Sequence, residues 1–92
     1  MNRADRIRIA IAAGFEPVDL TVTDESHRHA GHAGARPEGE THFRVRVVST
    51  AFEGQRRLAR YRAVHAALAV ELAAGLHALS LELLTPEEAA RR

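Results

Sequence analysis

Residues 42–48 read HFRVRVV, and this stretch decides the fold of the chain. Phe43, Val45 and Val47 alternate with polar residues, a period of two that is typical of a strand with one buried face. Such a strand needs apolar partners on one side only. The elements before and after it must therefore supply a core that covers a single face of a sheet.

An earlier strand and a loop precede this stretch. Val18, Leu20 and Val22 show the same alternation and predict a first strand. Residues 25–41 contain three glycines and a proline, show no period, and predict a long, flexible loop rich in histidine and glycine. Two strands joined by such a loop are expected to pair as an antiparallel hairpin.

Helices are predicted at three places. Asn2 and Asp5 have the spacing of a capping box, and the helix that they start is expected to end near Gly14. The longest helix follows residue 54, and Gly75 is expected to cap its end. Its predicted apolar stripe comprises Leu58, Tyr61, His65, Leu68 and Leu72. The residues TPEE at 85–88 start a final helix, with proline in its first turn.

A third strand completes the predicted sheet. Leu79, Leu81 and Leu83 alternate with other residues, and the long helix connects this strand to the second one. A strand–helix–strand connection of this kind is right-handed and makes the two strands parallel. The chain is therefore predicted to be a single α+β domain over residues 1–92. It has a three-stranded mixed sheet with helices on one face, in the order α-β-β-α-β-α.

This topology brings histidines from distant parts of the chain to one edge of the sheet. His77 opens the third strand, and parallel strands start at the same edge. That edge also carries the loop between the first two strands. We therefore expect His77 to emerge beside His29, His32 and His42.

Each histidine also has a purely structural interpretation. His27 lies beside Arg28 in a polar turn, and it and the other loop histidines can be solvated side chains. His42 begins a strand and is expected to make a local hydrogen bond. His65 lies in the stripe of the long helix and is expected to be half-buried in the core.

The composition limits the chemistry that this edge can perform. The 92 residues contain no cysteine, so any metal ligands are His, Asp or Glu. A structural zinc ion takes four protein ligands, so two imidazoles form an incomplete site and indicate that a second protein supplies the rest. Two histidines can replace two thiolates on one iron of an iron–sulfur cluster, which makes such a cluster chemically reasonable here.

Two other classes of protein are disfavoured. Two histidines and two glutamates interrupt the apolar stretch at 63–84, which argues against a membrane span, and a cytoplasmic protein is expected. The chain shows no serine-triad pattern and no phosphate-binding glycine loop. We therefore do not expect an enzyme.

Short motifs along the chain resemble the BolA family. They are DES at 24–26 with His29 close behind, THFRV at 41–45 after Glu40, VVS at 47–49, FEG at 52–54, the helix with Arg60 and Arg62, and HAL at 77–79. The resemblance covers about residues 18–84, and its parts occur in the family's order.

The resemblance implies a fold akin to the KH domain of the second type and a role in cluster chemistry. BolA-like proteins pair with monothiol glutaredoxins and share a [2Fe–2S] cluster, which a glutaredoxin cysteine and a glutathione thiol hold on the partner's side. The resemblance implies His77 as one ligand and a loop histidine as the second. His29 occupies the matching position, and the longer loop offers His32 as a competitor. The isolated protein is then expected to be monomeric and to hold no cluster.

The resemblance also leaves a second function open. Some BolA-like proteins are described as transcriptional regulators, and Arg56, Arg57 and Arg60 are candidates for contacting phosphate groups. The alternative for these arginines is a solvated helix face. A net charge of +1 favours weak, salt-sensitive DNA binding at most.

Overall fold

The computed structural model describes residues 1–25 and 41–91. These residues form helices α1 Arg3–Phe15, α2 Arg57–Ala67, α3 Ala69–Ala73 and α4 Pro86–Ala90, and strands β1 Asp19–Asp24, β2 His42–Val48 and β3 Ala78–Leu84. A short 3₁₀ turn over Thr50–Phe52, which the sequence patterns did not predict, leads from β2 toward α2.

The sheet has the predicted topology. Its strand order is β1-β2-β3, with β1 antiparallel to β2 and β2 parallel to β3. The three-stranded mixed sheet of the predicted α+β fold is therefore confirmed. The parallel register pairs His42 with Ala78, so β2 and β3 begin at the same edge.

The core lies between the helices and one face of this sheet, as predicted. Its fully or nearly fully buried members are Ile7, Ile11, Phe43, Val45, Val47, Phe52, Val64, Leu68, Leu76 and Leu83. The opposite face carries the alternating polar residues of the strands, among them Thr21, Arg44 and Ser80. Burial of one face provides the hydrophobic stabilisation and also specifies the register, because a shift by one residue would expose the apolar set.

Three predicted helix ends are confirmed in detail. Asn2 and Asp5 form a capping box at the start of α1, and Thr85 and Glu88 form another at the start of α4. Gly75 has a φ of 124°, a conformation that favours glycine, just after α3. The main chain then closes the helix end, because the next N–H donates back to a carbonyl of α3.

The prediction of a single long helix is wrong, because the structure has two helices, α2 and α3, in its place. The predicted apolar stripe is partly wrong. Leu68 separates α2 from α3 and is itself buried in the core. The neighbouring residues are mostly alanines, the strongest helix formers, so tertiary packing overrides local propensity at this point. Val64 is fully buried, whereas Leu58 and His65, which were assigned to the stripe, are exposed.

Side chains of α2 are hydrogen-bonded to β3. The Tyr61 hydroxyl donates to the carbonyl of Leu81 at 3.1 Å, and Arg60 Nη1 donates to the carbonyl of Leu83 at 3.1 Å. Arg60 also lies over the ring of Phe52, with its guanidinium carbon 5.7 Å from the ring centroid. These contacts hold the crossover helix on β3.

Candidate functional site

His77 directly precedes β3, and Thr41, the residue before β2, holds its backbone. Its N–H donates to the carbonyl of Thr41 at 2.8 Å, and the N–H of Ala78 donates to the same carbonyl at 3.0 Å. The His77 side chain is exposed to solvent. The predicted placement at the opening of the third strand is confirmed, and the result is an accessible imidazole on a fixed backbone.

His42 lies next to His77. It is the first residue of β2, its side chain is half-buried, and the two ring centroids are 6.3 Å apart. The Nδ1 atom of His42 lies 2.8 Å from the hydroxyl oxygen of Thr41, which is the local hydrogen bond expected for this residue. The sequence patterns therefore placed these two rings at one edge correctly.

Most of the loop predicted over 25–41 lies outside the described residues, and with it lie His27, His29 and His32. The two residues at its ends are described. The N–H of Glu25 donates to the carbonyl of His42 at 2.8 Å, and Thr41 contacts both His42 and His77. Both ends of the connection between β1 and β2 therefore lie at the edge that carries the histidine pair.

The remaining described histidine does not join the pair. His65 is exposed on α2, and its ring stacks on Tyr61 with centroids 6.4 Å apart. The prediction that His65 is half-buried in the core is therefore wrong. Over residues 1–25 and 41–91, no three His, Asp or Glu side chains are arranged to hold a metal ion.

A buried carboxylate that the sequence patterns did not single out lies on α3, the helix before His77. Glu71 of α3 accepts hydrogen bonds from Arg3 Nε and Arg6 Nε of α1, both at 3.0 Å. The bond from Arg6 is the main cause that lowers the pKa of Glu71, burial opposes it, and the bond from Arg3 lowers it further. Arg3 also donates to the carbonyl of Ala74 at 3.0 Å, in the turn that leads to His77.

The signal for this cluster was present in the sequence. Glu71 was noted only as a charge that interrupts an apolar stretch, yet a charge at such a position needs a partner when it is buried. Arg3 and Arg6 are spaced by three residues and share one face of α1. Only the packing of α1 against α3 shows that they are the partners.

The arginines of the alternative nucleic-acid surface differ in their surroundings. Arg56 and Arg57 are exposed, and Arg57 borders a cavity of about 420 Å³ between α2, β3 and α4. Arg60 is turned inward instead and binds Glu88 through Nη1 at 2.6 Å and Nη2 at 3.2 Å. The bond from Arg60 and the N–H of Thr85 lower the pKa of Glu88 to about 2.

Charges on the open face of the sheet are also paired. Arg46 binds Asp19 at 2.7 Å and Glu82 at 3.2 Å, and Arg44 binds Glu25 at 3.2 Å. Arg44, Arg46 and Glu82 line a groove of about 320 Å³. The groove therefore has no strong excess of either charge along its described walls.

Comparison with known proteins shows the family of the chain. Residues 11–88 match the BolA family, described as BolA-like protein. The chain belongs to the BolA family. Over 89 residues it is 48% identical to "Protein BOLA1, chloroplastic" of Arabidopsis thaliana, covering 95% of this chain but only 56% of that relative, about half its length. It is also 44% identical over 84 residues to "DNA-binding transcriptional regulator BolA" of Escherichia coli K12, covering 91% of this chain and 76% of that protein.

The BolA fold is also found among solved structures. The structure of BolA1 from Arabidopsis thaliana superposes with a TM-score of 0.86 at 47% identity and covers 96% of both chains. The α+β architecture is thus shared with a BolA protein, while the expected likeness to a KH domain of the second type stays a prediction. No helix in the described part of the chain is long and apolar enough to span a membrane.

Proposed function

We propose that this BolA-like protein pairs with a monothiol glutaredoxin and shares a [2Fe–2S] cluster with it, in cluster assembly, cluster trafficking or iron regulation. The observation that carries the proposal is the pair of His77 and His42, with ring centroids 6.3 Å apart at the start of two parallel strands. Sharing the cluster makes the protein a partner rather than an enzyme.

The donor set of this edge fits a shared cluster. Neutral imidazole is an established ligand for iron, and two imidazoles can occupy one iron of a [2Fe–2S] cluster. The exposed His77 side chain is accessible to a docking partner, and its backbone N–H is already bound to the carbonyl of Thr41. The glutaredoxin cysteine and a glutathione thiol would hold the cluster from the other side, and we expect the isolated protein to be a monomer without it.

The second ligand comes from one of three histidines. His29 and His32 follow Glu25 in the chain by a few residues, and Glu25 is hydrogen-bonded at this edge to His42. We propose His29 as the first choice and His32 as its competitor. His42 is a third candidate, because its ring centroid lies 6.3 Å from that of His77.

Single-histidine variants test the proposal. The complex is assembled without oxygen from this protein, a monothiol glutaredoxin, glutathione, iron and sulfide, and its absorption and circular dichroism are recorded. We expect His77→Ala to abolish the spectrum of the mixed complex, because it removes the fixed ligand. His65→Ala, which replaces an exposed histidine on α2, is the matched control and should give the wild-type spectrum.

Three further variants, His29→Ala, His32→Ala and His42→Ala, are then compared. The second ligand is the histidine whose replacement changes the spectrum most. Cluster retention should also fall as acid protonates the imidazoles, since only the neutral form binds metal. If His77→Ala gives the same spectrum and the same cluster stability as wild type, the proposed role of this edge is wrong.

Nucleic-acid binding is the second candidate, and the name of the Escherichia coli relative is the observation that favours it. Arg56 and Arg57 are exposed and accessible to phosphate groups, but Arg60 is engaged with Glu88. With a net charge of +1, we expect weak binding that falls steeply with salt. Nanomolar, sequence-specific binding by the metal-free protein at physiological salt would favour this function instead.

A further inference from the structure

Thr41 contacts both histidines of the pair. Its side chain is fully buried, and its hydroxyl oxygen lies 2.8 Å from Nδ1 of His42. Its carbonyl accepts the N–H of His77 at 2.8 Å. One residue therefore binds the ring of the first histidine and the backbone of the second.

We propose that Thr41 is a positioning residue that selects the tautomer of His42, with Nδ1–H donating to the Thr41 hydroxyl and the lone pair remaining on Nε2. A neutral imidazole has one N–H and one lone pair, so the hydrogen bond at one ring nitrogen decides which nitrogen can bind metal. This inference rests on the proposed function and takes His42, among the three candidate histidines, as the second ligand, because His42 is the one whose ring centroid lies 6.3 Å from that of His77 in the described structure.

The contact at Nδ1 fixes which ring nitrogen is left for a metal, and ligation would then fix the tautomer. Thr41 occupies Nδ1, so any ligation by His42 has to use Nε2, and Nε2 binds metal only when it carries no proton. The proton of the neutral ring must then be on Nδ1, where the hydroxyl oxygen of Thr41 accepts it. Burial of Thr41 shields this bond from competing water.

Thr41→Val separates the two contacts of Thr41. Valine has nearly the same shape as threonine and keeps the backbone carbonyl that binds the N–H of His77, but it has no hydroxyl for His42. Thr41→Ser keeps the hydroxyl. Thr23→Val, at an exposed position of β1 on the open face of the sheet, is the matched control for loss of a threonine hydroxyl.

The first measurement needs no cluster. Long-range ¹H–¹⁵N correlation spectra of the imidazole rings are recorded on the isolated protein near pH 8, where an ordinary histidine is neutral. We expect wild type, Thr41→Ser and Thr23→Val to show the Nδ1–H form of His42, and Thr41→Val to show mainly the Nε2–H form. Observation of the Nε2–H form in wild type would overturn the proposal.

The second measurement uses the complex with glutaredoxin. Loss of an outer hydrogen bond to a metal ligand commonly weakens metal binding by about 10- to 100-fold, so we expect Thr41→Val to lose the cluster at least ~10-fold faster than wild type. Thr41→Ser should remain close to wild type. A changed tautomer with unchanged cluster loss would refute the role of Thr41 in ligation, whereas a wild-type spectrum for His77→Ala would refute the proposed function itself.

Discussion

Replacement of Glu71 by alanine is expected to destabilise the protein by about 3–4 kcal/mol, because it removes the buried carboxylate that accepts hydrogen bonds from Arg3 and Arg6. The side chains of Arg3 and Glu71 are only 12% and 10% exposed, and removal of one partner from such a pair typically costs ~3–5 kcal/mol. Arg6 is 42% exposed, so solvent screening limits its share to at most ~1 kcal/mol. The bond from Arg3 to the carbonyl of Ala74 remains and offsets part of the loss.

Urea unfolding at pH 7, followed by far-ultraviolet circular dichroism, measures this change. For a domain of this size each kcal/mol shifts the melting temperature by about 4–8 °C, so thermal unfolding should show a decrease of roughly 12–32 °C. Glu71→Gln should lie between wild type and Glu71→Ala, because the amide oxygen still accepts one hydrogen bond.

Arg8→Ala is the control for the loss of an ion pair on α1. The side chains of Arg8 and Asp5 are 49% and 46% exposed, so this pair should contribute less than ~1 kcal/mol. A Glu71→Ala variant whose free energy of unfolding lies within ~1 kcal/mol of wild type would refute the argument that the buried ion cluster holds α1 on α3.

Two further predictions concern Arg60 and its surroundings. The pKa of Glu88 is lowered from 4.5 to about 2, so the stability that its ion pair contributes is present above pH 4.5 and is lost as the pH falls toward 2. The difference in urea midpoint between wild type and Glu88→Gln should therefore shrink over that range, and a difference independent of pH would contradict the assignment. Phe52→Ala should lower the free energy of unfolding by about 3–5 kcal/mol, because the ring is fully buried. Leu58→Ala, at a position that is 58% exposed, is the control and should lower it by less than ~1 kcal/mol. Equal losses for the two variants in urea unfolding would show that the assigned core is wrong.

The strands were predictable because their pattern has a period of two and one buried face. Phe43, Val45 and Val47 leave no second register that buries the same side chains, and the crossover rule then makes β3 parallel. Helix ends were predictable where a specific side chain caps them, as Asn2 does.

The inward face of α2 was less predictable. Apolar residues lie on several sides of this helix, and Val64 and Leu58 fit the helical period almost equally well. Only contact with β3 and α1 decides that Val64 is buried and Leu58 exposed. The pairing of Glu71 with arginines of α1 escaped prediction for the same reason, since it depends on how distant helices pack.

For the candidate site, topology sufficed to bring His77 and His42 to one edge, because strand order alone fixes which ends meet. It did not show that Thr41 contacts both of them, since this depends on side-chain rotamers. The ligand roles of His29 and His32 stay predictions.

The bonds from α2 to β3 have a consequence for the solubility of the protein. β3 is an outer strand, and the unpaired carbonyls of an outer strand attract extended segments of other molecules, which is a common route to aggregation. Here Tyr61 and Arg60 already occupy the carbonyls of Leu81 and Leu83. A strand from another molecule would have to displace both side chains before it could pair with β3. This edge of the sheet is therefore protected against aggregation by strand addition.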